Sequence, residues 1–149
     1  MLARQDDATK DESDVRALID ALVQAIRCKD IEGAMAAFTP EVVSFDLGPQ
    51  LRHGGGEVFR QHWRALFDAY DGPIEYELRD LVIQAGDGAA FAHSLNRTAG
   101  TLRDRRKSER WLRWTACLAR AEGLWRIVHE HVSVPADLHD GKALLDLQP

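Results

Sequence analysis

The second half of the chain contains four segments with β-strand character joined by very short links, and this feature limits the possible folds most. Gly86-Asp87-Gly88 and Glu122-Gly123 form two of the links, and a charged stretch at residues 103–107 forms the third. Links this short join antiparallel neighbours, because a parallel connection needs a dozen or more residues. The sequence therefore predicts an antiparallel meander. Its segments are residues 74–84, 89–102, 108–121 and 124–134.

Helical periodicity dominates the first half of the chain. Apolar residues recur at spacings of three and four over residues 15–26 and again over residues 58–70, which is typical of amphipathic helices. Thr9-Lys10-Asp11-Glu12 fits a capping box, so we expect the first helix to begin there and residues 1–8 to form a loose tail.

A short helix and a short strand fill the region between these two helices. Asp30 can cap a helix over residues 31–38 that Pro40 ends, because proline lacks an N–H and clashes with the preceding turn. Residues 41–47 are rich in β-branched side chains, as in a strand. Helices first and a sheet last predict an α+β domain whose helices cover one face of the sheet.

Length and composition exclude several classes of protein. The chain has 149 residues, which suits one domain; we place it at residues 9–135, followed by an extension at 136–149. The net charge of −5 argues against a nucleic-acid partner, and no apolar run is long enough to span a membrane. Two cysteines cannot build a disulfide framework, and no secretory signal is evident, so we expect a cytoplasmic protein.

Strand alternation assigns the side chains of the last two β segments to faces. In segment 108–121, one face carries Trp111, Arg113 and Thr115, and the other carries Leu112, Trp114, Ala116 and Leu118. In segment 124–134, one face carries Trp125, Ile127, His129 and His131, and the other carries Val128, Glu130, Val132 and Val134. We take the face with the arginine and the face with the two histidines as inward. A one-residue bulge would invert every face beyond it.

Apolar side chains lie on both faces of these strands, whereas the helices can cover only one face. The uncovered face needs another apolar surface, and a second subunit is the simplest source. The sequence therefore predicts a homodimer that forms through the outer face of the sheet.

Five strings of sequence, spread over residues 15–135, fall on these elements. They are residues 30–35 (DIEGAM), 42–46 (VVSFD), 91–94 (FAHS), 111–115 (WLRWT) and 125–133 (WRIVHEHVS). In this order they resemble the nuclear transport factor 2-like superfamily, and within it the SnoaL-like, ketosteroid-isomerase-related small proteins. The resemblance implies a cystatin-like cone, in which a curved antiparallel sheet wraps around a long helix with two further N-terminal helices. It also implies an apolar cavity for a small apolar molecule.

Asp46 is the first candidate for a catalytic residue. It ends the first strand, where the ketosteroid isomerases place their catalytic base, so the resemblance implies that role here. A carboxylate at the mouth of an apolar cavity loses solvation and becomes a better base near neutral pH. A structural role is the alternative, because an aspartate beside a turn often binds loop amides.

The isomerases also use two hydrogen-bond donors to stabilise the enolate, namely a tyrosine on the first helix and a protonated aspartate in a late strand. Leu22 and Thr115 occupy the matching positions of this chain. Leucine cannot donate a hydrogen bond and threonine is a weak donor, so most of the electrostatic stabilisation would be absent. We therefore do not expect steroid isomerisation by that mechanism.

Three histidines, His93, His129 and His131, are candidates for a proton partner of the base, because imidazole titrates near neutral pH. Each could instead donate to a carbonyl or a carboxylate inside the cone. Three imidazoles could also bind zinc, but the chain has no Cys-x-x-Cys or His-Glu-x-x-His motif, so we expect no metal and no other cofactor. Arg113 is the candidate for anion stabilisation, unless an internal carboxylate pairs with it.

Further side chains are expected to contact the ligand. Aromatic residues would form its cage, although large side chains at such spacings are more often plain core. Asn96 and Arg97 are adjacent in a strand, so only one of them faces the cavity. The candidates for ligand binding are Trp63, Phe67, Trp111, Thr115, Asn96 and Arg97.

These residues together predict a SnoaL-like small-molecule-binding protein. We expect acid–base catalysis of the isomerase, dehydratase or cyclase type on an apolar, carbonyl-bearing compound. The alternative is a non-catalytic ligand-binding or dimeric assembly domain, in which the same polar groups hold the cone together. The two alternatives differ in whether Asp46 takes part in turnover.

Overall fold

The computed structural model describes the backbone of residues 2–149 and the side chains of residues 9–149. The helices are α1 (Leu2–Cys28), α2 (Ile31–Met35) and α3 (Gly56–Asp68). The strands are β1 (Phe38–Phe45), β2 (Glu75–Gly86), β3 (Ala89–Thr101), β4 (Lys107–Ala121) and β5 (Leu124–Ser133). Of the loose tail expected at residues 1–8, residues 2–8 belong by their backbone to α1, and residue 1 lies outside the described part.

The strands form one curved sheet in the order β1-β5-β4-β3-β2. Strands β2 to β5 pair antiparallel, as the short links predict, whereas β1 pairs parallel with β5. Because β1 and β2 are the two edges, the sheet stays open. The expected α+β, cystatin-like architecture is confirmed. The expected antiparallel sheet holds for β2 to β5 but not for β1, which reaches β5 across most of the chain and so is not directed by any short link.

Two boundaries in the first half differ from the sequence prediction. Thr9 lies inside α1 rather than at its N-cap, because the helix already extends to the N-terminal side of it. Helix α2 ends at Met35, so Phe38 and Pro40 belong to β1. An edge strand tolerates proline, and the pairing of β1 with β5 is irregular between Phe38 and Val43.

Helices α1 and α3 cover the inner face of the sheet and bury their apolar stripes there. Arg27 links the end of α1 to β2, since its Nε donates to the backbone carbonyl oxygen of Tyr76 at 2.8 Å. On the α3 side, the ring of Phe59 stands edge-on to that of Phe38, with centroids 4.8 Å apart. The buried residues of the two helices include Val15, Ile19, Leu22, Ile26, Phe59, Trp63 and Phe67.

A close backbone approach fixes where α3 begins. Gly55, its N-cap, lies directly against β1. A Cβ atom at this position would collide with the carbonyl oxygen of Pro40 and stand 3.0 Å from the amide nitrogen of Val42. Only glycine lets the two backbones come this close. The approach brings the first turns of α3 to the end of β1, where Asp46 follows.

A bulge in β5 decides which of its side chains face inward. Ile127 lies opposite Leu118, and His129 lies opposite the next residue of β4, Cys117. Val128 therefore has no counterpart in β4, and the alternation is inverted beyond it. The inward side chains of β5 are Trp125, Ile127, Glu130 and Val132.

The extension at 136–149 folds back on the domain. Ala136 and Ala143 form a β-bridge, and the indole N–H of Trp111 donates to Oε1 of Gln148 at 3.1 Å. The extension thus contacts the outer face of the sheet at Trp111.

Candidate functional site

An apolar cavity of about 170 Å³ lies between α1, α3 and the inner face of the sheet. Its walls are mostly hydrocarbon, so each polar group that reaches it keeps little hydration and acts strongly on its neighbours. The apolar lining consists of Ile19, Leu22, Val23, Ile26, Leu47, Trp63, Leu66, Ile74, Leu78, Leu112, Trp114 and Val132. The polar lining consists of Asp46, His62, Tyr76, Asn96, Thr98 and Glu130.

Asp46 and His62 form a hydrogen-bonded pair in the cavity wall. Oδ2 of Asp46 lies 2.8 Å from Nε2 of His62, and the backbone N–H of Leu47 donates to Oδ1 of Asp46 at 2.6 Å. The hydrogen bond to Asp46 raises the pKa of His62, against a smaller opposing effect of burial. The pair therefore favours an imidazolium beside a carboxylate.

Glu130 supplies a second carboxyl group, which β5 places in the buried part of the site. Glu130 is only 4% exposed. The hydroxyl of Ser44 donates to Oε1, and the indole N–H of Trp114 donates to Oε2, both at 3.0 Å. Burial raises the pKa of Glu130 to about 7, the two hydrogen bonds oppose the rise, and the charge of Asp46 adds to it. Near neutral pH, this carboxyl is therefore divided between its protonated and ionised forms.

A third polar group lies on strands β2 and β3. Nδ2 of Asn96 donates to the hydroxyl oxygen of Tyr76 at 2.7 Å, and the hydroxyl of Ser94 donates to Oδ1 of Asn96 at 2.5 Å. Burial raises the pKa of Tyr76. The phenol therefore stays protonated at all physiological pH values and serves as a hydrogen-bond donor rather than as a base.

Three residues of the sequence prediction lie at the cavity. Asp46, Trp63 and Asn96 line it. Of the two adjacent residues Asn96 and Arg97, Asn96 is therefore the one that faces the cavity. Phe67 is buried in the core, with its ring centroid 5.5 Å from that of Trp63, and does not line the cavity.

The other predicted site residues lie on the outer face of the sheet. They are His93, Arg97, Trp111, Arg113, Thr115, His129 and His131. For β4, alternation divides the side chains between two faces but does not show which face is inward. In the structure, the face with Trp114 and Ala116 is buried. For β5, the bulge at Val128 turns the histidines outward. The predicted imidazole partners and the predicted arginine are therefore wrongly placed for a role inside the cavity.

Contacts on the outer face give several of these side chains structural partners. Arg97 binds Oε2 of Glu75 at 3.1 Å and Oε2 of Glu109 at 2.8 Å. Arg113 donates to the hydroxyl oxygen of Ser133 at 3.1 Å. Nδ1 of His129 lies 2.6 Å from the carbonyl oxygen of Val43; since that oxygen can only accept, this nitrogen carries the proton. Thr115 is exposed between His93 and His131 of the neighbouring strands.

Sequence reasoning missed His62, Glu130 and Tyr76 as site residues. His62 falls within the apolar stripe of residues 58–70, and its polarity in that stripe was the available signal. Glu130 alternates with valines in β5, so a carboxyl on an apolar face was the signal there. For Tyr76 the pattern carries no signal, because an aromatic residue in a strand is ordinary.

Two further properties follow from the described part of the chain. Among its side chains, no three His, Cys, Asp or Glu residues come together in a way that could hold a metal ion. None of its helices is both long and apolar enough to cross a membrane.

Comparison with known proteins identifies the family. A family model described as SnoaL-like domain matches residues 15–137. The chain belongs to this family. Its match covers every strand of the sheet and therefore all walls of the cavity. None of the curated proteins compared with the chain matches it.

Solved structures extend the likeness. An NTF2-like protein of unknown function from Pseudomonas putida KT2440 is 35% identical, with a TM-score of 0.86 over 95% of this chain and 99% of that one. A ketosteroid isomerase-like protein from Erwinia carotovora atroseptica is 18% identical, with a TM-score of 0.71 over 83% and 95%. An uncharacterized protein with a cystatin-like fold from Caulobacter vibrioides is 21% identical, with a TM-score of 0.69 over 83% and 88%. The last two likenesses concern the fold alone.

Proposed function

We propose that this SnoaL-like protein binds a small apolar, carbonyl-bearing compound and performs cofactor-independent acid–base chemistry on it, of the isomerase, dehydratase or cyclase type. One observation carries the proposal: two carboxyl groups with different environments line the same apolar cavity. Asp46 is paired with His62, whereas Glu130 is buried and has its pKa raised to about 7. Carboxyl groups made unequal in this way are suited to serve as base and acid in one reaction.

The proposed roles follow from these environments. Asp46 takes a proton from the carbon next to the substrate carbonyl, and the electron pair of that C–H bond moves towards the carbonyl oxygen. Protonated Glu130 delivers a proton to the substrate at the second position, and its carboxylate is left behind. Transfer of the first proton from Asp46 to Glu130 restores the resting state. His62 orients Asp46 through their hydrogen bond.

Replacement of Asp46 by Asn tests the proposal. The probe is the double-bond migration of cyclohex-3-enone to cyclohex-2-enone, which needs one base and one acid and is followed by the rise in ultraviolet absorbance. We expect Asp46→Asn to lower the rate by about 100-fold or more, the usual contribution of a positioned base. The melting temperature should stay nearly unchanged or rise. Asp20→Asn, an exposed aspartate of α1, is the matched control and should keep the full rate.

The outcome that would end the proposal is an Asp46→Asn variant with the rate of the original chain. A second candidate function would then apply, a non-catalytic ligand-binding or assembly domain. It is favoured by the fact that each ionisable group of the cavity has a protein partner, such as His62 for Asp46 and Ser44 for Glu130. Under this alternative, Asp46→Asn should lower the free energy of unfolding. The original chain itself should then show no isomerisation rate.

The same proposal includes a homodimer through the outer face of the sheet, in the cytoplasm. The dimer is supported by three large apolar side chains on that face, namely Phe45, Val82 and Phe91, which are 40%, 41% and 42% exposed. The compartment is supported by Cys28 and Cys117, which are exposed and unpaired, as is usual where thiols stay reduced.

A further inference from the structure

The hydroxyl hydrogen of Tyr76 has no acceptor among the described residues. Its oxygen is engaged by Nδ2 of Asn96, and both residues line the cavity. A buried hydroxyl hydrogen without an acceptor costs free energy that an acceptor in the cavity would return. Tyr76 is thus a donor that the fold itself leaves open, on a wall that is otherwise mostly apolar.

The direction of the hydrogen-bond chain follows from burial. When Ser94 donates to Asn96 and Asn96 donates to Tyr76, the hydroxyl hydrogen left without an acceptor is that of Tyr76, beside the open cavity. In the reverse order, with the amide of Asn96 turned round, the free hydrogen would end on Ser94. That side chain belongs to a residue only 6% exposed and does not line the cavity. The first order is favoured, because the hydrogen left over can still find an acceptor.

The volume of the cavity limits the size of the ligand. An apolar protein cavity of roughly 150 Å³ accommodates benzene, and this cavity measures about 170 Å³. One six-membered ring with a small substituent fits this space. Two fused rings or a steroid skeleton would extend beyond this space, into the opening of the cavity.

We propose that the cavity selects single-ring, otherwise apolar ketones or enones, and that the Tyr76 hydroxyl, held by Asn96 and Ser94, donates the hydrogen bond that recognises their carbonyl oxygen. This inference deepens the proposed function and rests on it for the reaction, though not for the binding. Tyr76 belongs to β2, an element that supplies neither Asp46 nor Glu130. The carbonyl oxygen is thereby held on one wall while the acid and the base act from others.

Two probes of equal shape test the recognition on the full chain. They are 4′-fluoroacetophenone and 4-fluoro-α-methylstyrene, which differ in C=O against C=CH₂ and are titrated by ¹⁹F NMR. We expect the ketone to bind about three- to tenfold more tightly than the alkene, the range of one net hydrogen bond. Tyr76→Phe should abolish this preference and change the affinity for the alkene by less than about twofold.

Tyr70→Phe is the matched control. Tyr70 is buried, and its hydroxyl lies 3.4 Å from Oγ1 of Thr98, but it does not line the cavity. This variant should keep the preference for the ketone. The inference is overturned if the original chain binds both probes equally, or if Tyr76→Phe keeps the preference.

A measurement on the unaltered chain makes the test independent of how the variant folds. The ¹³C carbonyl resonance of labelled ketone should move downfield on binding, relative to its position in hexane, because a donor hydrogen bond deshields that carbon. 2-Acetylnaphthalene, with two fused rings, should bind at least about tenfold more weakly than the one-ring ketone. A resonance at the hexane position, or equal affinity for the two-ring ketone, would contradict the inference.

Failure of the inference and failure of the proposed function give different results. If Asp46→Asn keeps the isomerisation rate while Tyr76→Phe loses the ketone preference, the recognition stands and the catalytic role falls. If Asp46→Asn loses the rate while Tyr76→Phe keeps the preference, the catalytic role stands and the assignment of Tyr76 falls.

Discussion

At the scale of single residues, two opposing effects of its surroundings determine the ionisation of Glu130. Its carboxyl is buried, which favours the neutral form, yet both of its oxygens accept hydrogen bonds, from Ser44 and Trp114, which favours the ionised form. Burial is the larger effect. The Ser44 hydroxyl can also accept a hydrogen bond, so the protonated form of Glu130 is satisfied without a change of partners. This residue can therefore change its protonation state at low structural cost.

The raised pKa of Glu130 predicts how stability depends on pH. A carboxyl with a pKa of 4.5 when unfolded and about 7 when folded costs nothing below pH 4.5, where both states are protonated. As pH rises from 4.5 to 7, the unfolded chain loses its proton first and the folded protein is destabilised, by roughly 3 kcal/mol in total. We expect Glu130→Gln to remove this dependence. Its free energy of unfolding, relative to the original chain, should therefore rise by about that amount between pH 4.5 and pH 8.

Urea denaturation at the two pH values, followed by tryptophan fluorescence, measures this difference. His62 also loses stabilising charge as pH rises through its raised pKa, but it does so in both proteins and largely cancels. Asp46 is unchanged in both proteins, so it does not account for a difference between them. Glu77→Gln, an exposed glutamate of β2, is the control and should give no difference. A change below about 1 kcal/mol for Glu130→Gln would mean that the carboxyl is hydrated rather than buried.

At the scale of elements, the contact between α3 and β1 holds the Asp46–His62 pair together. His62 belongs to α3 and Asp46 directly follows β1, and Gly55 sets the distance between those two elements. Gly55→Ala forces a methyl group against the backbone of Pro40, which cannot move aside as a flexible side chain would. We expect a loss of about 1–3 kcal/mol in the free energy of unfolding, typical of overpacking. We also expect a lower pKa of His62, measured by NMR titration, because its hydrogen bond to Asp46 lengthens.

Gly54→Ala is the matched control for this prediction. A Cβ atom at Gly54 meets nothing within 4 Å, so this variant should keep both the stability and the pKa of His62. Equal stability of the two variants would show that the approach of α3 to β1 tolerates a side chain.

Sequence patterns predicted the elements better than the faces. The predicted segment 89–102 and the observed strand Ala89–Thr101 differ by one residue, because the turns at both ends are marked by glycine or by charge. The inward face of β4 could not be read from the pattern, since Trp111 and Trp114 lie on opposite faces and both are apolar. The bulge at Val128 could not be read either, because it arises from the pairing of β5 with its neighbours.

The candidate site shows the same division. The place of Asp46 at the cavity could be predicted because this residue follows directly after a strand. Its partner could not, because the contact with His62 spans two elements and depends on Gly55. The inversion in β5 exchanged the predicted His129 for Glu130 as the cavity residue. A strand pattern thus predicts which residues share a face, and only the packed structure decides which face is inside.

At the scale of the whole molecule, the two faces of the sheet have different characters. The inner face carries the cavity, whereas the outer face has a centre without Asp, Glu, Lys or Arg, formed by two rows of side chains that run across the strands. One row contains Phe91, Cys117 and His129, and the other contains Val82, His93, Thr115, His131 and Phe45. Charged residues such as Arg97 and Glu109 lie towards one end of this face and pair with each other. A centre with aromatic side chains and few charges, inside a charged border, is typical of protein–protein interfaces.

Because a two-fold interface brings the same patch of both subunits together, a charge in the centre of this face should separate them. We expect the unaltered chain to sediment at twice the mass of one chain at micromolar concentration, and Phe91→Asp to sediment as a monomer, since two carboxylates would be desolvated close to each other. Leu51→Asp, in an exposed loop away from the sheet, should remain dimeric. Phe91→Asp should also bind 4′-fluoroacetophenone as the original chain does, because Phe91 points away from the cavity. A monomeric original chain, or a dimeric Phe91→Asp variant, would place the subunit interface elsewhere or remove it.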